Sequence, residues 1–308
     1  MPQPPALSVI MPVANLPDKP RFRAALRSLL SQSCPDFEAL LICSHGLQCS
    51  LQGLPECADR RIIFLDDQGH EDAGCRRNTG IEHSTGRYIV FMDSDDAYYG
   101  PQSLQTMLDA IERHGVLAAG GSCLIRDELQ QRFIYRGDLI NERYEHLTDF
   151  EHFQNESGFY RFIYNGNYLR GSCRFRPLRR FQDSVFMVEC LEQAGRLALI
   201  PDIVYVYTKG HRQLVWNCDM LLDHLHGVEL VLQLAQQRNY RMLAARMLRN
   251  IINTWRLRRV GTDWPDGQRR QLRLLKSRLA ALMLARPGLL LGHPLLTVMA
   301  QGALVLAH

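Results

Sequence analysis

Through residue 207, short apolar runs alternate with longer stretches in which apolar residues recur at every third or fourth position. The runs at 7–11, 37–43, 61–65 and 88–92 have the length and composition of buried strands, and the first is closed by Pro12. Between them, residues 21–32 place apolar side chains at 22, 25, 26, 29 and 30, which is helical spacing. Residues 75–84 read as a second helix, entered through Gly74 and left through Gly86, and 102–113 as a third. Further strands are expected at 116–126, 131–136 and 198–207, with a helix at 182–193; residues 142–153 show no clear period. Beyond Asp219 the pattern is wholly helical, over 221–238, 240–259 and 268–286. Strands alternating with helices predict an α/β fold on a mostly parallel sheet, followed by an all-helical region. The division expected is 1–215 and 216–308.

In such sheets ligands bind beyond the carboxyl ends of the strands. The strand at 88–92 ends there in an acidic run, GRYIVFMDSDDAYY (86–99), with Asp93, Asp95 and Asp96 in four residues. Two readings are open. The acids cap the following helix through a solvated turn, or two carboxylates one residue apart share a divalent cation that also binds substrate phosphates. Composition excludes little: 308 residues, 46% hydrophobic and 22% charged, are ordinary for a globular protein. Nine cysteines, an odd number without a CxxC pair, speak against a disulfide framework and for a reducing compartment. The opening MPQPPALSVIMPVAN has no basic n-region, and its apolar run is too short and Pro-broken for a signal peptide. No GxGxxG follows the first strand, which disfavours a dehydrogenase.

Taken in order, five segments resemble the family 2 glycosyltransferases, enzymes of the GT-A fold that use nucleotide-activated sugars. LSVIMPVAN (7–15) is similar to the family's opening strand and RAALRSLLSQSCPDFEALLI (23–42) to its first helix and second strand. GCRRNTGIEHSTGRYIVFMDSDD (74–96) is similar to its ARN-x-G segment and DxD motif. FQDSVFMVECL (181–191) stands in the place of its catalytic segment, and IPDIVYVYTKGHR (200–212) resembles the strand and loop that close the donor site. The resemblance implies a Rossmann-like GT-A domain and an inverting, metal-dependent hexosyl or N-acetylhexosaminyl transfer. The donor would be a nucleotide-sugar, a UDP-sugar first, and the acceptor a glycan or lipid-linked glycan of surface polysaccharide or lipopolysaccharide synthesis. It implies Mn2+ or Mg2+ as cofactor, with Asp95 as direct ligand, Asp93 through water or the ribose hydroxyls, and His211 completing the coordination. Donor binding would fall to Pro12, Val13, Ser44, Arg77, Asp93, Ser94, Asp95, Lys209, His211 and Arg212. A diphosphate leaving group gathers negative charge as the glycosidic bond breaks, so a cation and cationic side chains suit the task. Inversion needs a base for the acceptor hydroxyl, and the resemblance places it at Asp183, next to a Gln182 where the family has Glu.

One departure changes the picture. The family's second strand ends in acids that read the nucleobase, whereas this chain has LICSHGL (41–47), with Cys43 and Ser44 at those positions. Asp66 or Asp67, ending the third strand, are candidates to compensate. The departure keeps a second reading open, a degenerate non-catalytic module that binds a nucleotide or a glycan. A nucleotidyltransferase of the same fold is disfavoured, since residues 8–20 lack the glycines of a phosphate loop. On the acceptor side, YRFIYNGNYLRG (160–171) offers aromatics and amides for sugar recognition, or packing by Phe162 and Tyr164.

Charge is unevenly spread. The net is +4, yet residues 238–286 hold thirteen Arg/Lys against Asp263 and Asp266, so the remainder is acidic. Basic amphipathic helices, followed at 287–308 by a segment without Asp, Glu, Lys or Arg, lead to the expectation of peripheral attachment to the inner face of the cytoplasmic membrane. No nucleic-acid-binding module is recognised in the basic stretch.

Overall fold

A computed structural model of the chain describes residues 3–13, 19–70, 72–211, 216–255 and 264–285. Strand β1 (Leu7–Pro12) is buried along its whole length, with Ser8 the one polar residue in it and hydrogen-bonded to Glu38 at 2.5 Å, as suits a strand covered on both faces. Helix α1 (Lys19–Leu30) leads to β2 (Phe37–Cys43), and the short α2 (His45–Leu51) to β3 (Ile62–Asp66). Helix α3 (Ala73–His83) begins where the Asp72 carboxylate accepts the Cys75 N–H at 2.7 Å, an N-cap, and β4 (Tyr88–Phe91) follows. Then come β5 (Ala97–Tyr98), α4 (Ser103–His114), β6 (Ala118–Asp127) and β7 (Arg132–Ile134). Strand β8 (His146–Asp149), α5 (Phe150–Phe153), β9 (Phe162–Asn165), α6 (Gly166–Ser172), α7 (Gln182–Ala194) and β10 (Arg196–Lys209) complete the sheet-bearing part. Helices α8 (Cys218–Arg238), α9 (Arg241–Trp255) and α10 (Asp266–Ala285) end the description.

The sheet runs β3-β2-β1-β4-β9-β6-β10-β5, with β7 on β6 and β8 on β10. Strands β3, β2, β1 and β4 are parallel, as are β6 and β10, and β9 lies antiparallel between β4 and β6. The expected α/β fold with a parallel body is therefore present, with antiparallel strands added that the pattern did not announce. From Phe162 onward the 160–171 segment is divided between β9 and α6. Phe162 and Tyr164 are fully buried in β9, so the packing reading of those residues holds rather than sugar recognition. Close approach shapes two positions. A Cβ on Gly120 would stand 2.3 Å from the Phe162 ring, and one on Gly86 would meet the Ser8 backbone nitrogen at 2.5 Å.

The described structure divides into two compact units. The first gathers Met1–Phe153, Ser157–Pro177 and Glu189–Gln213 and holds the whole sheet. The second gathers Gln154–Glu156, Leu178–Val188 and Leu214–His308, so the boundary runs through α7. Within the second unit α8 is capped by Asn217, whose side chain accepts the Met220 N–H at 2.8 Å, and stops at Asn239 in the left-handed region. Glu229, buried on α8, accepts two bonds from Arg278 of α10 at 2.7 and 2.9 Å. Among the described residues no helix is long and apolar enough to cross a membrane; 287–308 lies outside them.

Candidate active site

Strand β4 ends at Phe91, and the chain turns at once through Met92 and the acidic run toward β5. Each acid of that run has a different partner, drawn from a different part of the first unit. Asp93 Oδ1 accepts from Arg77 Nη2 of α3 at 2.5 Å. The Arg77 side chain is only 5% exposed, with its guanidinium 4.7 Å from the Phe159 ring centroid and 5.3 Å from that of Phe175. Those rings also pack on Phe91, so one aromatic cluster supports both the end of β4 and the arginine that fixes Asp93. Asp95 Oδ2 lies 2.8 Å from His211 Nε2, just beyond β10. The His211 side chain is 8% exposed, and its Nδ1 is buried without a hydrogen-bond partner.

Asp96 is fully enclosed. It accepts the Thr208 N–H at 2.6 Å and the Tyr205 hydroxyl at 3.0 Å, and the same hydroxyl accepts the Asp93 N–H at 3.0 Å. Burial first, then the charges of Asp93 and Asp95, push the Asp96 carboxyl well above its ordinary range, while the Thr208 and Tyr205 bonds pull the other way. Tyr205 is itself held by stacking on Tyr160, 4.6 Å between centroids, and Tyr207 also stacks on Tyr160, at 5.7 Å. So strand β10, far away in sequence, reaches across to position the acidic run. Nothing local to 93–96 signals this; the alternation of VYVY at 204–207 was the only hint, as one face of a strand.

Three carboxylates concentrated where one is already destabilised as an anion form a site short of positive charge, and a cation would relieve it. The oxygens of Asp93 and Asp95 with the His211 imidazole suit a hard or borderline divalent ion such as Mg2+ or Mn2+. Among the described residues no three His, Cys, Asp or Glu side chains form a ready cage.

The remaining expected residues fall as follows. Pro12 ends β1, and Val13, fully buried, donates its N–H to Ile42 O at 2.9 Å. Ser94 is buried in the acidic turn. Ser44 is exposed at the start of α2, and its hydroxyl makes no capping bond. Cys43 is buried, with its thiol pushed up to about 11 by burial and then by the Asp67 charge, so it is no substitute for an acid. Asp67 does not compensate either: it is buried in an ion pair with Arg76, at 3.0 Å from Nε and 2.9 Å from Nη2. Asp66 remains exposed at the end of β3, opposite Cys43. Lys209 pairs with Asp127 at 3.2 Å. Asn78 ties α3 to Phe175 by accepting its N–H and donating to its carbonyl, at 2.8 and 2.9 Å, a structural brace. Asp183 occupies the first turn of α7 and belongs to the second unit, whereas Arg77, Asp93, Asp95 and His211 are brought together in the first. Arg212 lies outside the described residues.

Comparison with known proteins adds to this geometry. The family model described as "Glycosyl transferase family 2" matches residues 8–167. An uncharacterized glycosyltransferase of Bacillus subtilis (strain 168), EpsJ, is 25% identical over 225 residues, 68% of this chain and 63% of that protein. The uncharacterized glycosyltransferase YibD of Escherichia coli (strain K12) is 33% identical over 103 residues, 33% of this chain and 29% of its own. A PGL/p-HBAD biosynthesis glycosyltransferase of Mycobacterium bovis (strain BCG / Pasteur 1173P2) is 31% identical over 115 residues, covering 36% and 43%. Each alignment thus spans less than two thirds of the relative's length. Among solved structures, S. aureus TarS 1–349 superimposes with a TM-score of 0.65 at 16% identity, covering 90% of this chain and 80% of that one. The same fragment in complex with UDP-GlcNAc gives 0.64 at 17% identity, over 91% and 81%. At that identity the likeness is one of fold, and the fold is GT-A.

Proposed function

The chain belongs to glycosyl transferase family 2, and on that premise we propose that it moves a sugar from a nucleoside-diphosphate donor, a UDP-sugar first, to a glycan or lipid-linked acceptor in bacterial surface-polysaccharide synthesis. One observation carries the reading: Asp93 and Asp95, just past the end of a parallel strand, are held by Arg77 and His211, in a cluster whose third acid is driven toward its neutral form. A UDP-sugar is favoured because a TarS structure contains UDP-GlcNAc. A divalent cation bound by Asp93 and Asp95 would neutralise charge on the departing diphosphate. Arg77 fixes Asp93 at one rotamer and lends its own charge beneath the acid. Tyr205 and Asp96 hold the backbone of the turn, so that the two carboxylates need little reorganisation when substrate arrives. His211 fixes Asp95. The base that takes the acceptor's proton is Asp183, on its motif, giving inversion.

The degenerate-module reading has one observation of its own, the buried Cys43 and exposed Ser44 where acids would read the base. Thermal denaturation against UDP, GDP, CDP and dTDP, each with and without Mn2+, decides between them. Binding to the native state raises Tm by mass action. The expected result is a metal-dependent rise for UDP that is lost in Asp95→Ala, accompanied by slow hydrolysis of a UDP-sugar in wild type only. A rise without any turnover of UDP-sugars, alone or with glycan acceptors, would favour the binding module.

A further inference from the structure

The hairpin of β6 and β7 borders a groove of ≈ 490 Å³ lined by Arg126, Asp127, Glu128, Gln131, Arg132 and Phe133. Its two acids are already neutralised by cations from outside the lining. Lys209 Nζ is 3.2 Å from Asp127 Oδ2, and Arg21 of α1 donates to Glu128 Oε2 from Nε at 2.9 Å and Nη2 at 2.5 Å. The Arg21 bonds hold the Glu128 carboxyl below its ordinary range. The two arginines of the lining are not matched in the same way. Arg126 donates from Nη2 to Thr208 Oγ1 at 3.2 Å, reaches Glu128 only at 3.7 Å, and leaves its Nε buried with no acceptor. Arg132 is exposed, and its guanidinium makes no ion pair with another described residue. Arg132, exposed and without a carboxylate partner among the described residues, is the lining group placed to take an oxyanion from solvent.

An apolar surface stands beside this charge. Phe133 is the cross-strand partner of Arg126 and is 53% exposed. A ring face covers the C–H face of a pyranose, while a guanidinium takes the planar or tetrahedral oxyanion attached to it. The groove is linked to the acid cluster by hydrogen bonds through one residue of β10. Thr208 donates its N–H to Asp96 and accepts from Arg126 at its hydroxyl oxygen, and Lys209 stands two residues before His211.

We propose that the β6–β7 groove is an acceptor subsite for an acidic saccharide, one that carries phosphate or carboxylate groups. The proposal rests on the glycosyl-transfer reading for the word acceptor, though not for the binding itself. The donor's diphosphate shares the anionic chemistry, so the test must separate the two sources.

Calorimetric titration of the full chain with trigalacturonate, glucose 6-phosphate and neutral maltotriose provides that separation, in wild type, Arg132→Ala and Phe133→Ala. Both side chains are exposed, so neither substitution opens the core. The expected result is tighter binding of the two acidic probes than of maltotriose in wild type. Either substitution should weaken the acidic probes by about fivefold or more, the loss of one exposed contact, and leave the UDP-induced Tm shift unchanged. The proposal is overturned if acidic probes bind no better than maltotriose, or if both variants bind them as wild type does. A parallel loss of UDP binding in Arg132→Ala also overturns it and assigns the groove to the donor. Probe binding needs no transfer, so a wild type that binds the acidic probes but shows no metal-dependent nucleotide shift would sink the transfer reading alone.

Discussion

Single side chains in the acid cluster do tasks their positions in sequence disguise. Asp93 and Asp95 were legible because a strand running into carboxylates has a chemical consequence at a sheet's carboxyl edge. Arg77, expected among the donor-binding residues, is enclosed by Phe159 and Phe175 and bonded to Asp93, a task its place in sequence does not announce. Tyr205 was legible as part of a strand at 198–207 but its task was not, since its partners lie 109 and 112 residues away. Its hydroxyl bridges the Asp93 N–H and the Asp96 carboxylate, so Tyr205→Phe takes a hydrogen-bond partner from each. The expected cost is about 1–3 kcal/mol of stability by urea unfolding, together with a weaker Mn2+-dependent UDP shift. A fully retained UDP shift would mean that the turn holds its shape without the hydroxyl. In the second unit, His224 is surrounded by Phe181 and Trp216, with ring centroids at 4.8 and 5.4 Å. Burial first, and then the Arg180 charge, lower it from the usual 6.5 to about 4. The unfolded chain therefore binds a proton near pH 6.5 that the folded chain refuses until about pH 4. Stability from this group is complete above the unfolded value and is lost as pH falls through that window, by about 1.4 kcal/mol per unit and about 3 kcal/mol in all. Urea unfolding at pH 7.5 and 4.5 should show that loss in wild type and a smaller one in His224→Leu.

At the level of elements, periodicity found the parallel strands and the long helices, with ends displaced by a residue or a few. It missed β9, because a four-residue strand among aromatics and amides carries no period long enough to read. It also missed α2, since HGLQCSL has no amphipathic repeat and depends on burying Leu47 and Leu51. Strand β6 shows why a glycine pair sits in a central strand. Gly120 makes room for the Phe162 ring of β9 and Gly121 for Val204 of β10. Gly120→Ala should destabilise the first unit by about 1–3 kcal/mol through overpacking, and the double variant Gly120→Ala/Phe162→Leu should recover part of the loss, as neighbours in contact do. Additive losses in denaturant titrations would refute that contact. Phe181, immediately before α7, holds φ +68, a conformation bulky residues rarely adopt. Nothing in the sequence marks it, for it is imposed by how Phe181 packs against Gly227 and His224.

For the whole molecule, the uneven charge carries one further prediction. Part of the basic C-terminal region is neutralised internally, by Glu229 with Arg278, Glu156 with Arg246 and Asp266 with Arg269. The excess of basic over acidic residues in 238–286 is the basis for proposing attachment to anionic lipid. Sedimentation with vesicles containing phosphatidylglycerol should carry the chain down at low salt and release it at high salt, whereas neutral phosphatidylcholine vesicles should leave it in solution. Binding that ignores both salt and lipid charge would count against electrostatic attachment. The sequence by itself determined the α/β alternation, the helical C-terminal part, the family and the acids at 93 and 95, because apolar period and an ordered motif series are local properties of the chain. Only the tertiary structure decided which charges are spent on one another. It bound Asp67 to Arg76, Asp93 to Arg77, Lys209 to Asp127 and Asp95 to His211, it shared Arg126 between Thr208 and Glu128, and it left Arg132 exposed beside Phe133 without an ion pair among the described residues. Pairings of that kind depend on strands and helices meeting from distant parts of the chain, and on the burial that makes an unmatched charge costly.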